Sequence, residues 1–341
     1  MPRIALLSFA HYHANFWTEA FLEQPGITLA CIWDEDAARG QEAAARFALP
    51  FEPDLDAAIA RADAVAICSE NNRHLPLAIR AAQAGRAILC EKPTARTVAE
   101  VDGIAAAVAR AGVLFMQSFP KRLDPASQAL KRLVEQGTLG RLHTVRIRHG
   151  HGYGLTPDFR ARWYVQREAG GGGALLDEGI HGADLLCWLF GLPQNVVATT
   201  TNAVLGLEVE ENASAIFTWP DGLTAALTAS FLFAAASDSV ELYGTQGSAL
   251  LAGVDLASRD ISPGPFLRLY TGGEPRCWTA DPLVPQFKRG RFHHQNAIAF
   301  ARCLTEGAAP PATLADGRRA LLLIERAYVA AASGQRQEII E

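Results

Sequence analysis

Short apolar runs alternate with longer segments of helical period over the first third of the chain. The apolar runs have no polar interruption, which is typical of strands that are buried on both faces of a parallel sheet. Strict alternation of such strands with helices indicates a doubly wound α/β sheet. The predicted strands are 4–7, 29–33, 64–68, 87–90 and 113–116, and the predicted helices are 13–24, 36–47, 55–62, 75–84 and 98–111.

The pattern changes at Lys121, where the first domain is predicted to end. Strand-like segments then follow one another without intervening helices, and hairpin signals such as Pro220-Asp221-Gly222 separate them. Consecutive strands predict a largely antiparallel sheet, so we expect an α+β domain over 121–341 after an α/β domain over 1–120. The predicted strands are 142–148, 196–202, 212–219, 223–231 and 239–243, and the predicted helices are 125–136, 174–190, 294–306 and 315–333.

Composition and charge narrow the range of partners. With 49% hydrophobic residues the chain can bury a large core, and its net charge of −5 gives no general positive field for nucleic acid or an anionic membrane. The six cysteines are widely spaced without a Cys-x-x-Cys pair, which indicates buried thiols in a reducing compartment. No signal-peptide pattern is visible, and the longest apolar helical stretch is well short of ~20 residues. We therefore expect a soluble, cytoplasmic protein.

Glu91-Lys92-Pro93 is the first motif with candidate chemistry. It follows the fourth predicted strand, at the carboxyl edge of the sheet where α/β proteins bind ligands. Pro93 keeps Lys92 out of helical geometry and so fixes the direction of its side chain. A solvated turn at the end of a strand is the simpler interpretation of this motif taken alone.

Asp177 and His181 form the second candidate motif, four residues apart on one face of a predicted helix. A histidine beside a carboxylate that fixes its tautomer suits proton transfer to or from a hydroxyl group. An ion pair or a cap at the start of a helix is the alternative interpretation.

Taken together, these motifs resemble those of the Gfo/Idh/MocA family of sugar and polyol oxidoreductases. The resemblance extends over almost the whole chain, and it implies a Rossmann domain followed by an α/β domain whose open sheet often mediates homodimers or homotetramers. It also implies that Lys92 contacts the reacting oxygen, that His181 accepts or donates the proton, and that Asp177 holds the substrate or orients the base. The further segments that carry it are 69–74, 82–85, 119–122, 171–184 and 242–247.

The loop after the first strand departs from the family pattern. In place of Gly-x-Gly-x-x-Gly the chain has Ser8-Phe9-Ala10-His11-Tyr12-His13, so the tight turn and the close approach to a diphosphate are made without glycine. Ser8 and Ala10 are small enough to serve, whereas His13 is not a substitute for glycine. A helix N-terminus still attracts a diphosphate here, and loss of dinucleotide binding is the alternative.

Asp34 ends the second predicted strand, where an acidic side chain binds the adenosine ribose hydroxyls and repels a 2′-phosphate. This position favours NAD over NADP, although Arg39 keeps NADP open and a solvated carboxylate is the simpler alternative. The loop after the third strand also matches the family's cofactor loop, with Glu70 in place of the usual proline. The predicted cofactor contacts are Ser8, Ala10, His11, His13, Asp34, Ser69, Asn71, His74, Glu91 and Lys92.

Aromatic and hydrogen-bonding residues near the glycine run are candidates for the wall of a sugar pocket, with core packing as the alternative. No carboxylate stands at metal-ligand spacing from any of the nine histidines, so no catalytic metal is predicted. The predicted substrate contacts are Arg122, His151, Tyr153, Trp163 and Tyr164.

The sequence therefore predicts an NAD-dependent dehydrogenase that acts on a secondary hydroxyl of a sugar or polyol. Oxidation of such an alcohol requires a hydride acceptor, a base and a cation beside the oxygen, which the candidate residues and the cofactor supply. One alternative is an enzyme that uses NAD transiently during elimination or glycoside cleavage. The other is a nucleotide or sugar sensor that keeps the fold without catalysis.

Overall fold

The computed structural model describes residues 1–234, 238–252, 267–271, 279–280 and 291–341. The chain divides into two compact units. Unit 1 comprises Met1–Pro120 and the described residues from 291 to Arg318, and unit 2 comprises the described residues between Lys121 and Arg289 together with Arg319–Glu341. The sequence-based assignment of 121–341 to a single domain misses this return to unit 1, because the period of a helix does not reveal which core the helix joins.

Unit 1 contains a five-stranded parallel sheet, which confirms the predicted doubly wound architecture. The strands are β1 (Arg3–Leu7), β2 (Thr28–Trp33), β3 (Ala64–Ile67), β4 (Ala87–Cys90) and β5 (Phe115–Gln117), and the helices are α1 (His13–Glu23), α2 (Ala37–Phe47), α3 (Leu55–Ala60), α4 (Asn71–Gln83) and α5 (Val98–Ala111). The strand order is β2-β1-β3-β4-β5 with every pair parallel, so the carboxyl ends of the strands meet at one edge.

Local chemistry sets the helix ends in unit 1. The carboxylate of Asp36 accepts from the backbone N–H groups of Ala38 and Arg39 and so caps the start of α2. Gly85, with a φ of 71°, follows the end of α4 in the left-handed region. Helix α4 begins at Asn71, four residues before the predicted start, and contains Pro76 in its interior.

The helix Arg291–Glu306 (α10) belongs to unit 1 and packs along α1. Its buried residues Ala297 and Phe300 join Trp17 and Phe21 in one apolar core, and the rings of Phe21 and Phe300 lie 6.5 Å apart. This packing places the first turn of α10 beside the start of α1. The ring of His293 lies 3.7 Å from that of His13, the last residue of the glycine-free loop, and His294 Nε2 lies 3.3 Å from Glu19 Oε2.

Unit 2 is built on a nine-stranded sheet in the order β13-β12-β11-β10-β6-β9-β8-β7-β14. All of its pairs are antiparallel except that between β6 and β9, which confirms the mostly antiparallel sheet. The strands are β6 (Leu142–Gly150), β7 (Asn195–Thr201), β8 (Asn212–Thr218), β9 (Thr224–Ser230), β10 (Ser239–Gly244), β11 (Ser248–Ala252), β12 (Leu267–Tyr270), β13 (Thr279–Ala280) and β14 (Gln337–Glu338), and the remaining helices are α6 (Pro125–Glu135), α7 (Arg167–Gly170), α8 (Ala174–Asp177), α9 (Gly179–Phe190) and α11 (Leu314–Ser333).

The predicted single helix over 174–190 is wrong, because the structure divides it into α8 and α9 at Glu178. The glycine run before α8 wraps around Glu210, whose carboxylate accepts from the backbone N–H groups of Gly173 and Leu175. Helix α9 lies against the centre of the sheet, where a Cβ on Gly182 would come within 2.4 Å of Leu227. No helix within the described ranges is both long enough and apolar enough to cross a bilayer.

Candidate active site

A cavity of about 440 Å³ lies at the carboxyl ends of β1, β2 and β3 in unit 1. Its volume falls within the range of small-molecule sites, roughly 300–1,000 Å³. The hydroxyl-bearing residues Ser8 and Ser69 line it together with an apolar wall suited to an adenine ring. That wall is formed by Trp33, Pro53, Leu55, Pro76 and Leu77. The lining therefore fits the adenosine half of a dinucleotide.

Ser8 stands where the family has its first glycine, and it has the backbone conformation that glycine favours. Its φ is 77°, in the left-handed region, which costs a residue with a side chain roughly 1–2 kcal/mol. The Ser8 hydroxyl accepts from the backbone N–H of Ala10 at 3.2 Å and from Arg39 Nη2 at 3.2 Å. The tight turn is therefore kept without glycine, and side-chain hydrogen bonds hold it.

We expect Ser8→Gly to be more stable than Ser8→Ala by about 1 kcal/mol. Both variants lose the hydroxyl, but only glycine adopts the left-handed φ without strain. Urea unfolding gives the two free energies, and Ala45→Gly, on the exposed face of α2, is the control that should lose about 1 kcal/mol instead. Equal free energies of unfolding for the two Ser8 variants would show that the left-handed φ at position 8 causes no strain.

Asp34 has a different environment from the one that the sequence predicts. Its buried carboxylate accepts from the backbone N–H of Phe9 at 2.8 Å and from that of Asp36 at 3.0 Å. Arg39 donates to both of its oxygens, with Nε at 2.9 Å and Nη2 at 2.7 Å. The protein's own donors thus occupy the carboxylate that was expected to bind the ribose hydroxyls.

Glu70 completes this cluster of charges. Arg39 Nη1 donates to Glu70 Oε1 at 3.1 Å, so one guanidinium group lies between two carboxylates. Hydrogen bonds to Asp34, together with the negative charges of Asp34 and Glu70, outweigh burial and raise the pKa of Arg39. Arg39 therefore stays charged and is neutralised within the protein.

The amides of the loop after β1 are also used within unit 1. The N–H of Phe9 binds the Asp34 carboxylate, and that of Ala10 binds the Ser8 hydroxyl. The N–H of His11 donates to the carbonyl oxygen of Cys68, directly after β3, at 3.0 Å. These bonds fix the loop in its turn, in place of the close backbone approach that glycine allows.

His11 and His13 are both buried and lie against the turn after β4. Their rings are 4.1 Å apart, and His13 Nδ1 lies 3.3 Å from Glu91 Oε1. The ring of His13 also lies 3.7 Å from that of His293. Burial, reinforced by the neighbouring His13, lowers the pKa of His11 well below its usual value. His13 thus lies in a histidine cluster rather than in the position of a small helix-packing residue.

His74 and Asn71, two other predicted cofactor contacts, lie in buried positions on α4. The His74 ring nitrogens lie 2.8 Å from the carbonyl oxygen of Pro93 and 3.2 Å from that of Ser69, so the side chain joins two loops at the carboxyl edge. Burial lowers the pKa of His74 despite these two carbonyl groups. His74 thus connects two loops at the carboxyl edge, and its contact with the cofactor stays a prediction.

Lys92 is 3% exposed, and the backbone on both sides of it is held. The N–H of Glu91 donates to the carbonyl group of Ile67 at 2.9 Å, and the carbonyl oxygen of Pro93 contacts His74. The Lys92–Pro93 peptide bond is cis. The hydrogen bonds of Glu91 and Pro93 thus fix the backbone of Lys92 at the carboxyl edge of the parallel sheet.

In unit 2, a cluster of imidazoles and carboxylates surrounds His181. His149 lies between two carboxylates, with Nδ1 at 2.8 Å from Glu178 Oε2 and Nε2 at 3.3 Å from Asp238 Oδ2. The rings of His149 and His181 lie 4.9 Å apart at 30°. His151 Nε2 approaches the other oxygen of Glu178 at 3.5 Å. The break between α8 and α9 aims Glu178 at both histidines.

Asp177 belongs to the same cluster. Ligand-type atoms of Asp177, Glu178 and His151 lie within 4.8 Å of one another. Burial and the charge of Asp177 raise the pKa of Tyr164 to about 12, so the phenol stays protonated at neutral pH. Trp163 packs edge-on against Tyr164, with ring centres 5.4 Å apart. The described contacts thus join Asp177 to His151 and Tyr164, two of the predicted substrate contacts.

Tyr153 and Arg122, also predicted to contact substrate, differ in their surroundings. Tyr153 is 48% exposed and lies 4.6 Å from the ring of His151, at the rim of the cluster. Arg122 is buried and forms a bidentate pair with Asp184, with Nη2 at 2.7 Å from Oδ1 and Nε at 3.0 Å from Oδ2. Arg122 is therefore held in an ion pair within unit 2, and its contact with a substrate stays a prediction.

Sequence reasoning did not find the contacts of Glu178 and Asp238 in the cluster around His181. Glu178 was visible between Asp177 and His181, but nothing in the sequence indicated its approach to His149 and His151. Asp238 had no local signal, because the folding of unit 2 brings it to His149. Arg39 was noted near Asp34 in the sequence, but its two hydrogen bonds to the Asp34 carboxylate were not predicted.

Comparison with known proteins identifies the class. Residues 8–119 match the model of the oxidoreductase family with an NAD-binding Rossmann fold, and residues 127–250 match the Gfo/Idh/MocA C-terminal domain. These matches define an NAD-binding oxidoreductase. The chain belongs to the Gfo/Idh/MocA family, and unit 1 contains its NAD-binding Rossmann fold.

Several relatives of known activity are similar to the chain. The 1,5-anhydro-D-fructose reductase of Ensifer adhaerens is 28% identical over 279 residues, which are 81% of this chain and 80% of the relative. The aldose-aldose oxidoreductase of Caulobacter crescentus, solved with glycerol, is 26% identical with a TM-score of 0.84 and 99% of each chain covered. Levoglucosan dehydrogenase, solved with NADH and levoglucosan, has a TM-score of 0.88 at 22% identity with 100% of each chain covered, which shows the shared fold.

Proposed function

We propose that the protein transfers a hydride between NAD(H) and a secondary hydroxyl, or the corresponding carbonyl, of a sugar or polyol. The single observation that carries this proposal is the cluster around His181, where Glu178 and Asp238 bracket His149. Relatives named as sugar reductases and dehydrogenases support the substrate class.

In this proposal His181 accepts the hydroxyl proton during oxidation and returns it during reduction. The neighbouring imidazole of His149 lies within ion-pair distance of two carboxylates and 4.9 Å from the His181 ring, and we expect this packing to orient His181. Lys92 places its ammonium beside the reacting oxygen and stabilises the developing negative charge. The bound nicotinamide accepts or supplies the hydride.

Binding of NADH, followed by turnover on a panel of sugars and polyols, tests the function. Titration of the purified protein with NADH is expected to quench tryptophan fluorescence, because Trp33 lines the cavity. With NAD supplied, an increase in absorbance at roughly 340 nm reports formation of reduced nicotinamide and so identifies active substrates. Binding without turnover on any sugar or polyol would favour a sensor over an enzyme.

We also predict that NAD(H) binds at least tenfold more tightly than NADP(H), a difference of ~1.4 kcal/mol. The cavity is lined by four carboxylates, Glu35, Asp54, Asp56 and Glu70, and by only two guanidinium groups, those of Arg73 and Arg80. Both arginines are paired with carboxylates, so a 2′-phosphate would meet net negative charge.

Calorimetric titration with each cofactor measures this preference. Glu70→Gln removes one negative charge and should reduce the ratio of NAD(H) to NADP(H) affinity. Glu306→Gln, an exposed change on α10, should leave this ratio unaltered. Equal affinities of the wild-type protein for the two cofactors would contradict the electrostatic argument.

A further inference from the structure

The loop after β1 and the turn after β4 bring two histidines and a carboxylate together inside unit 1. One ring nitrogen each from His11 and His13 and one oxygen of Glu91 lie within 4.8 Å of one another, and all three side chains are buried. We propose that these residues bind a divalent transition-metal ion of the zinc type. None of these three residues lines the cavity assigned to adenosine.

The geometry suits such an ion. Bonds of about 2.0–2.2 Å from zinc to nitrogen and oxygen place neighbouring tetrahedral ligands ~3.4 Å apart. His13 Nδ1 and Glu91 Oε1 are 3.3 Å apart, close to that spacing. One ring nitrogen of His11 lies within 4.8 Å of ligand atoms of His13 and Glu91. Because His11 Nδ1 accepts from the backbone N–H of His13 at 3.3 Å, Nε2 is the nitrogen that we expect to bind the ion. Three protein ligands leave a position for water or another ligand.

Glu91 provides an independent indication. Its side chain is 1% exposed, and Oε2 accepts from the Ser118 hydroxyl at 3.1 Å. Among the described residues, none donates a hydrogen bond to Oε1, the oxygen that faces His13. A buried carboxylate oxygen without a donor is costly, and a bound cation compensates it.

Outer contacts hold this carboxylate as they do in metal sites. Ser118, which binds Glu91 Oε2, accepts in turn from Asn296 Nδ2 at 3.1 Å. Chains of this kind fix the orientation of ligating carboxylates. The orientation of Glu91 is therefore set by β5 and α10 before any ion binds.

The donor set selects the class of ion. Two imidazoles with one carboxylate favour zinc and its neighbours over magnesium and calcium, which prefer oxygen ligands alone. Imidazole binds such an ion through a nitrogen that carries no proton. A metal ion would also account for a histidine at position 13, where the family pattern has its third glycine.

Metal binding is tested on tag-free protein stripped with a chelator. Equilibrium dialysis with Zn²⁺ alone should give one equivalent of bound metal per chain. Co²⁺ alone should produce the visible absorption bands of a cobalt ion with a low coordination number. Both His13→Phe and Glu91→Gln should weaken Zn²⁺ binding at least ~100-fold, since loss of even an outer-sphere partner costs 10–100-fold. His143→Asn, at an exposed histidine on β6, is the matched control and should bind Zn²⁺ as the wild type does.

Two outcomes would overturn the site. Retention of no Zn²⁺ by the wild type would make His13 and Glu91 an ion pair only, and unchanged affinity in Glu91→Gln would place the metal elsewhere. Phenylalanine keeps a ring against His293 and glutamine keeps the shape of the carboxylate, so thermal unfolding separates ligand loss from misfolding. If His13→Phe does not fold, Glu91→Gln decides alone. Metal uptake is measured without NADH or sugar, so failure of the proposed function leaves this result intact.

Discussion

Replacement of His181 by alanine is expected to lower kcat roughly 10²- to 10⁴-fold on whichever sugar or polyol proves active, the usual contribution of a positioned general base. NADH affinity should change little, because His181 belongs to unit 2 and the predicted adenosine cavity belongs to unit 1. Steady-state kinetics gives kcat, and fluorescence titration gives the affinity for NADH.

The surroundings of His181 explain why one side chain should have so large an effect. The ring lies 4.9 Å from that of His149, whose two nitrogens face Glu178 and Asp238. We expect this packing to orient the imidazole before substrate binds, as the proposed role of His181 as proton acceptor requires. Alanine at position 181 removes the proposed proton acceptor and leaves His149, Glu178 and Asp238 in place.

His143→Ala is the matched control for this prediction, because His143 is an exposed histidine on β6 of the same unit. It should retain full kcat. A folded His181→Ala protein with near-normal kcat would exclude His181 as the base, even if NADH still binds. Loss of stability with unchanged activity per folded molecule would instead make His181 a packing residue.

The parallel sheet of unit 1 was predictable from sequence because its strands are buried on both faces. The continuous apolar runs that became β1 to β5 have the signature of such strands, and their bounds agree with the structure within two residues. The unit membership of α10 could not be predicted in this way. Its apolar face packs on α1, about 270 residues earlier in the chain, and helical period has no information about so distant a partner.

The candidate site follows the same division between local and distant information. Lys92 and His181 could be predicted as site residues because each lies in a short motif whose residue types fit the chemistry. The break at Glu178 was missed because helical period continues through it, whereas the structure interrupts the helix there. Glu91 was not recognised as a partner of His13 because only the alignment of strand ends in the sheet brings their two loops together.

Lys92→Met is the second large effect that we expect, with a fall in kcat of about 10²- to 10³-fold. Methionine keeps most of the length of the side chain but removes the ammonium group beside the developing alkoxide. Lys92 is suited to this role because the Glu91 amide is bonded to Ile67 and the Pro93 carbonyl contacts His74, so the backbone on both sides is fixed. A charge in a preorganised position needs no reorganisation during the reaction, and its loss is therefore costly.

Rapid-quench or steady-state kinetics with saturating NAD and sugar measures this fall in kcat. Lys131→Met is the matched control, because Lys131 lies on α6, where it pairs with Glu135 and the carbonyl group of Trp188. It should lose some stability but no kcat. Partial recovery of kcat in Lys92→Arg would attribute the effect to positive charge, since arginine restores the charge but not the shape of the ammonium group. Unchanged kcat in a folded Lys92→Met protein would mean that the negative charge on the reacting oxygen is stabilised by another group.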